Sequence, residues 1–333
     1  MAILAVSLWA VACGATAAHV AKRANPRSGL PPAAEPASAP VPGVPPAGRM
    51  IRVGTLPEGI VADPRTGLVV VGVRQPAGLV LLDARSGAIR ARISIPGTPR
   101  HLQLAAPGGP VLVPEEPVAR VLELGLPGGR TLRAVKVRTQ PHDATAAGGR
   151  VFVGDEFGQG LSVIEGSRVI DTIGGFVQPG GVIGIGEEVA VVDVRANDIT
   201  LVDARTLRVI GRASAGAGPT HGVTGTGGRL YVTDTRGGAV ITFATHPRLR
   251  PLARRRLPGY PYGIALDSIR RRLWVTLTAR NQLLELSTVR SGLRLIRTYP
   301  TGRQPNTVTV DPRDGHVFVA NAADGTVELI DPR

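Results

Sequence analysis

From Arg49 to the C-terminus the chain alternates short apolar runs with tight polar punctuation. The pattern is cleanest over residues 301–331, where the runs 308–310, 317–320 and 327–330 are rich in β-branched residues and are cut off by Asp-Pro, Asp-Gly or Ala-Asp-Gly. That predicts three strands joined by tight turns. The same unit can be traced seven times. A proline leads each copy, at Pro57, Pro99, Pro141, Pro179, Pro219, Pro261 and Pro305, with intervals of 42, 42, 38, 40, 42 and 44 residues. An apolar strand follows each proline. A glycine-containing turn then leads to a second strand, at 68–73, 111–113, 151–153, 189–192, 230–233, 273–276 and 317–320. A third strand often closes on Asp (79–83, 199–203, 327–331), and a fourth precedes the next proline (89–95, 208–213). Four short strands per unit of about 40 residues predict a propeller blade. No helical period of the kind that a solenoid of helix pairs needs is present.

The expected fold class is therefore all-β, a seven-bladed β-propeller of four-stranded blades over residues 49–333. The last unit holds only three strands before Arg333, and residues 49–53 offer the fourth: Val53 stands four residues before Pro57, as Ile95 stands four before Pro99. The N-terminal strand should pair onto the seventh blade and close the ring, removing two free sheet edges. Blade two departs most from the pattern, because Pro110, Pro114 and Pro117 crowd its second strand.

Only 3% of residues are aromatic, so the core must be Val, Ile, Leu and Ala packed between blades. The Trp-Asp pair usual in WD40 blades is missing. The segments Tyr231-Val-Thr-Asp234, Phe318-Val-Ala-Asn321, Phe152-Val-Gly-Asp155 and the partial Trp274-Val-Thr276 stand in its place, with Pro57-Glu-Gly-Ile60 and Pro261-Tyr-Gly-Ile264 leading their blades. Through these residues the chain resembles the YVTN-type propeller family, which includes the YncE-like proteins, over residues 49–333. The resemblance implies the fold. It leaves function open, since this fold hosts lyases, lactonases and non-enzymatic binders alike.

Residues 1–20 read as an export signal: an apolar run followed by small residues, with no formal charge until Lys22. Two processing sites compete. Ala10-Val11-Ala12-Cys13 resembles a lipobox in which Cys13 would be lipidated, whereas Ala15-Thr16-Ala17 fits cleavage after Ala17. The basic residues usual before the apolar run are missing, and Lys22 and Arg23 lie on its far side, as a start codon placed too far downstream would explain. Residues 21–48 carry eight prolines between Asn25 and Gly48 and few core-forming side chains, so an extended polyproline-type linker is expected there, a tether with a reach on the order of 70 Å. Cys13 is the only cysteine, which excludes a disulfide framework and a cysteine-ligated metal.

Loops before the first strand and after the second strand of a blade emerge on one face, where propeller pockets form. The positions just after the prolines are Glu58, Arg100, His142, Gly180, His221, Tyr262 and Asn306. A purely structural repeat would reuse one residue there, and this one varies. Glu58, Arg100, His142, His221, Tyr262 and Asn306 are therefore the candidate ligand-binding residues. His142 and His221 are placed for acid–base work near neutral pH, with Glu58 as a proton acceptor or cation ligand and Arg100 as a clamp for a carboxylate or phosphate. His101 is a further candidate, ranked below these because it aligns with Gly59 and Gly263 and would then point between blades. The ends of the second strands give Glu115, Asp155, Asp193, Asp234 and Asn321. Asp155, Asp193 and Asp234 are candidate ligands for a divalent cation such as Ca²⁺, set against the ordinary use of Asp in turns. No zinc motif of closely spaced histidines occurs, and His142 and His221 lie two blades apart, a long span for one zinc ion. No nucleophile elbow and no phosphate-binding glycine loop occurs either. No cofactor is expected beyond a divalent metal.

The net charge is +14, nearly all of it arginine, with clusters at 248–256, 270–272 and 290–297. A positive surface attracts polyanions such as anionic lipid, wall polymers or nucleic acid, the last being the weaker form without an aromatic stacking platform. The expected function is an exported cell-envelope propeller, secreted or held at the membrane by a lipidated N-terminus. It would be monomeric and would bind a small ligand or an envelope protein at the channel mouth without catalysis. A lyase or lactonase using His142, His221 and Glu58 is the first alternative, and polyanion binding through the arginines the second.

Overall fold

The computed structural model describes residues 29–289 and 292–332. Its strands group into seven four-stranded antiparallel sheets. In the first, Thr55–Asp63, Leu68–Gln75, Gly78–Asp83 and Ile89–Ser94 follow one another outward in chain order. The innermost strands are Thr55–Asp63, Gln103–Leu104, Pro141–Ala147, Pro179–Ile185, Pro219–Thr224, Pro261–Asp267 and Pro305–Val310. Each touches the next, and the last returns to the first, so the sheets form a closed ring around a channel.

The seventh sheet is completed by Arg49–Arg52, which pairs antiparallel with Thr326–Ile330 and sets Ile51 opposite Val327. Ile51 is buried with Val327 and Phe318. The junction is fastened by the buried Glu328, whose carboxylate accepts the Gly48 amide at 2.8 Å and the Gly302 amide at 3.0 Å.

Each blade is covered on both faces by its neighbours, which is why its strands read as nearly unbroken apolar runs. Within Leu68–Gln75, Val69 and Val71 pack toward Phe318 and Val327 of blade seven, while the intervening Val70 packs toward Val111 and Leu124 of blade two. Burying a side chain of this kind contributes roughly 1.5–3 kcal/mol. Blade two is the least regular, as its prolines predict. Its inner strand shrinks to Gln103–Leu104, and the proline end is joined to the second strand only by a bridge between Pro99 and Glu115.

The expected tether is described from residue 29. From Ala33 onward it runs along the propeller. Ala34 and Ala39 are buried, the Ala37 amide donates to Thr278 Oγ1 (3.0 Å), and Asn281 Nδ2 and Arg303 Nε donate to the carbonyls of Pro40 (2.9 Å) and Ala39 (3.0 Å). Because Pro leaves fewer amides to satisfy, a short segment of this kind can lie on a surface using its carbonyls and small side chains. The expected export signal and Cys13 lie outside the described residues. Among the described residues no helix is long and apolar enough to cross a membrane.

Candidate functional site

The leading prolines pair with the ends of the second strands: Pro141 with Asp155, Pro179 with Asp193, Pro219 with Asp234, Pro261 with Leu277 and Pro305 with Asn321. Directly after each of these, and after Pro57, the register slips by a bulge. A bulge leaves a residue out of the ladder and re-aims its side chain. Glu58, His142, Gly180, His221, Tyr262 and Asn306 all stand in these bulges. In blades one, five and six the slip spans three residues, and His221 stands in the one from Pro219 to Gly222.

Blade two reaches the same end differently. With its inner ladder lost, the Arg100 amide donates to Pro114 O (3.0 Å) and the His101 amide donates across to His142 O of blade three (3.2 Å). His101, expected between blades, therefore stands in the channel at the centre of the cluster. Its Nε2 lies 2.9 Å from His221 Nε2, and its ring centroid lies 4.7 Å from that of His142 and 4.3 Å from that of His221. His221 in turn meets Tyr262 edge-on at 4.5 Å. Gly180 contributes its carbonyl, 2.5 Å from His142 Nδ1.

Glu58 and Arg100 are bound to each other at 2.7 Å, with Arg74 on the other Glu58 oxygen at 3.0 Å and Glu116 beside Arg100 at 3.5 Å. Burial pushes the Glu58 carboxyl up, but Arg100 and Arg74 outweigh it and hold the group below its ordinary value. Burial drives His101 well below the usual imidazole range, helped by His221 and His142, and brings His221 down to about 3, again with His142 opposing its charge. Burial lifts the Tyr262 hydroxyl well above its ordinary value, with Glu35 adding to the effect. Asp143, also buried, is raised to about 6 despite donors from Val182 and Gln103. Asn306 is buried at the rim, with its Oδ1 lacking a partner.

The second ring of candidates is not brought together. Asp193 accepts the amides of Val177, Gln178 and Ala196 at 2.6–3.0 Å, and Asp234 accepts those of Ala217, Gly218 and Gly237 at 2.9–3.1 Å as well as Arg254. Asp155 accepts Ser162 Oγ at 2.6 Å. Asp193 and Asp234 fasten loops of their own blades, and Asp155 ties the second strand of its blade to the third. Their chain neighbours point the other way, as alternation along a strand requires. Glu115 holds Gly97 and Arg120 while Glu116 faces Arg100, and Glu156 follows Asp155 into the cluster, where Gln178 Nε2 donates to it at 2.8 Å. Arg74, Glu116 and Glu156 were the residues that reading the strand ends missed, each by one or two positions.

The cluster fills the half of the channel nearest the prolines. The open space, a cavity of about 430 Å³, lies in the other half, running from His101, His221 and Asp143 toward Leu104, Leu266 and Val310. A pocket at the proline face was expected. That face is occupied by the Glu58–Arg100 pair, the imidazoles and Tyr262, all buried or nearly so, and the segment from Ala33 lies over the loops of blades five to seven.

No protein-family model matches the chain, and no curated protein matches it in sequence. Solved structures do match in fold. Hydrazine synthase of Kuenenia stuttgartiensis aligns with a TM-score of 0.72 at 16% identity, over 84% of this chain and 97% of that one. The chain is a seven-bladed β-propeller. Virginiamycin B lyase from Staphylococcus aureus aligns with the propeller at 0.70 and 15% identity, over 84% and 97% of the two chains, and a catalytically inactive histidine-to-alanine form of that lyase was solved with quinupristin. A chain of the mitotic checkpoint complex aligns at 0.74 and 13%, over 96% and 97%. Enzymes and assembly components thus share the propeller's architecture, and at these identities the likeness shows the fold alone.

Proposed function

We propose that the chain is an exported, YVTN-type envelope propeller that binds a small polar ligand in its channel without turning it over. The observation that carries this reading is the cavity of about 430 Å³ whose closed end is formed by His101 and His221. That volume suits a small molecule, with Gln103, Asp143 and Thr224 available along its wall to orient polar groups. Glu58, Arg100 and His142 do not line it, and Glu58 is held by two guanidiniums. A catalytic base must reach its substrate within hydrogen-bond distance; of the three catalytic candidates only His221 lines the cavity, and burial brings its pKa down to about 3, so this arrangement favours binding over acid–base turnover. Lipidation at Cys13 or cleavage after Ala17 would place the propeller at the envelope, where a protein partner would meet its outer surfaces.

The lyase or lactonase reading is supported by the convergence of three histidines and by the fold shared with virginiamycin B lyase. One set of assays separates the two. A small-molecule thermal-shift screen should find ligands whose effect disappears in His221→Ala, and a panel of lactones and cyclic peptides, with and without divalent metal, should show no turnover. Turnover lost on His142→Ala or His221→Ala would replace the binding reading with the enzymatic one.

A further inference from the structure

Three side chains from three consecutive blades meet at the closed end of the channel. Glu58, His101 and His142 each present one ligand atom, and these atoms lie within 4.8 Å of one another. Their residues are nine-tenths or more buried. From this geometry we infer that Glu58, His101 and His142 bind a single divalent transition-metal ion of the zinc class, with His221 beside it on the side of the cavity.

The surroundings are those of a metal site. A ligating histidine usually donates its second ring nitrogen to a carbonyl or carboxylate, which fixes the tautomer and aims the other lone pair at the ion. His142 does this through Nδ1, 2.5 Å from Gly180 O, which leaves Nε2 as the free donor atom. A ligating carboxylate is itself hydrogen-bonded. Glu58 receives Arg100 on one oxygen and Arg74 on the other, and each oxygen keeps a further lone pair. Glu116 and Glu156 offset the charge of Arg100, so a dication does not face an uncompensated cation.

His101 Nε2 and His221 Nε2 stand 2.9 Å apart. That contact sets His221 against the ligand His101 on the side of the cavity. Ligand atoms on one tetrahedral zinc, each bonded at about 2.0–2.2 Å, lie roughly 3.3–3.5 Å apart, so the Glu58, His101 and His142 atoms, which lie within 4.8 Å of one another, need only draw together slightly to hold the ion. Two imidazoles and a carboxylate select zinc, iron, cobalt or nickel over calcium or magnesium, which prefer all-oxygen sets. The cavity supplies the way in, past His221.

This goes beyond ligand binding and is tested with metal alone. The full chain, carrying no added histidine tag and stripped with chelator, is titrated with Co²⁺ and Zn²⁺. The expected result is one equivalent of Co²⁺ bound with visible d–d absorption, which Zn²⁺ then displaces. His101→Gln and His142→Gln, shown by circular dichroism to be folded, should each weaken binding by at least about 100-fold, since loss of an outer partner alone costs 10–100-fold. Should either variant fail to fold, Glu58→Gln carries the same expectation. No stoichiometric uptake by the folded wild type, or unchanged uptake in the folded variants, overturns the inference. A channel that takes metal but no organic ligand would sink the proposed function and leave this site standing, and the reverse outcome would do the opposite.

Discussion

Asp155 offers the sharpest test of how the buried carboxylates of this ring are used. Its side chain is fully buried, one oxygen accepts Ser162 Oγ, and the other has no hydrogen-bond partner. Burial raises its pKa from 3.8 to about 6, against the opposing hydrogen bond from Ser162 and the charge of Arg138. Because the folded value lies above the unfolded one, the folded chain keeps its proton to higher pH. The stability this contributes is present below about pH 3.8 and is lost as pH rises through about 6. A shift of about 2 units corresponds to roughly 3 kcal/mol. Replacement by Asn removes that titration but buries an amide N–H₂ that finds no acceptor, at about 1–3 kcal/mol. Urea unfolding of wild type and Asp155→Asn at about pH 4 and about pH 8 should therefore show the variant gaining on the wild type by roughly 3 kcal/mol between the two conditions. It should be less stable in acid and equal or better in base. If the variant instead falls further behind at high pH, the ionised carboxylate is being held by something, and the cation-ligand role expected for Asp155 becomes the better account.

Glu328→Ala strands the Gly48 and Gly302 amides, so it should cost about 2–6 kcal/mol and release residues 49–52 to fast hydrogen exchange, while the inner strands of blades three to five stay protected. Glu58→Ala removes the 2.7 Å partner of the buried Arg100 and leaves it the longer contact to Glu116 and the charge of Glu156, which predicts a loss of about 3–5 kcal/mol by chemical denaturation; the double variant Glu58→Ala, Arg100→Met should recover much of it. Gly59 lies where a Cβ would run into the Arg100 carbonyl and the Leu102 side chain, so Gly59→Ala should lower the melting temperature through a loss of at least about 2 kcal/mol; an unchanged melting curve would mean that the seam between blades one and two is looser than described.

The ring itself was plain in the residues. Prolines at 38–44-residue intervals mark the seven sheets, and the missing fourth strand of the last unit matches residues 49–52 in register with 326–329. The site was only half legible. Glu58, His142, His221 and Tyr262, from the variable positions after the prolines, do come together, and a bulge follows the proline in each of their blades. Which neighbour of a strand-end residue turns inward was not readable, since alternation is fixed only once the bulge is known. Glu115 and Asp155 therefore stood out where Glu116 and Glu156 were the residues facing Arg100. His101 was misplaced for a related reason: blade two has no inner ladder at that point, so alignment with Gly59 and Gly263 carries no information about direction. The reach of the segment from Ala33 over the propeller was also hidden, because small and proline side chains leave no periodic trace.

The arginines bear on the polyanion reading through where they sit. The outermost strand of a blade is the one with a free edge, and charged side chains on such strands prevent edge-to-edge pairing with other chains. Every blade carries exposed arginine on that strand: Arg92, Arg133, Arg168, Arg212, Arg255 and Arg297 in blades one to six, and Arg49 in blade seven. Several also reach neighbouring segments, as Arg92 does to Val53 O and Arg212 to Gly175 O. Blades five and six hold more of them, Arg250, Arg254, Arg255 and Arg256 on one strand and Arg294 and Arg297 on the next, yet Arg254 is already paired with Asp234 and Arg297 lies over Tyr299. Charge spread around a whole rim raises the field everywhere and focuses it nowhere, whereas a polyanion site needs a contiguous groove. A rim of this kind protects seven sheet edges, and among the described residues unlike side chains from different blades converge instead at the closed end of the channel.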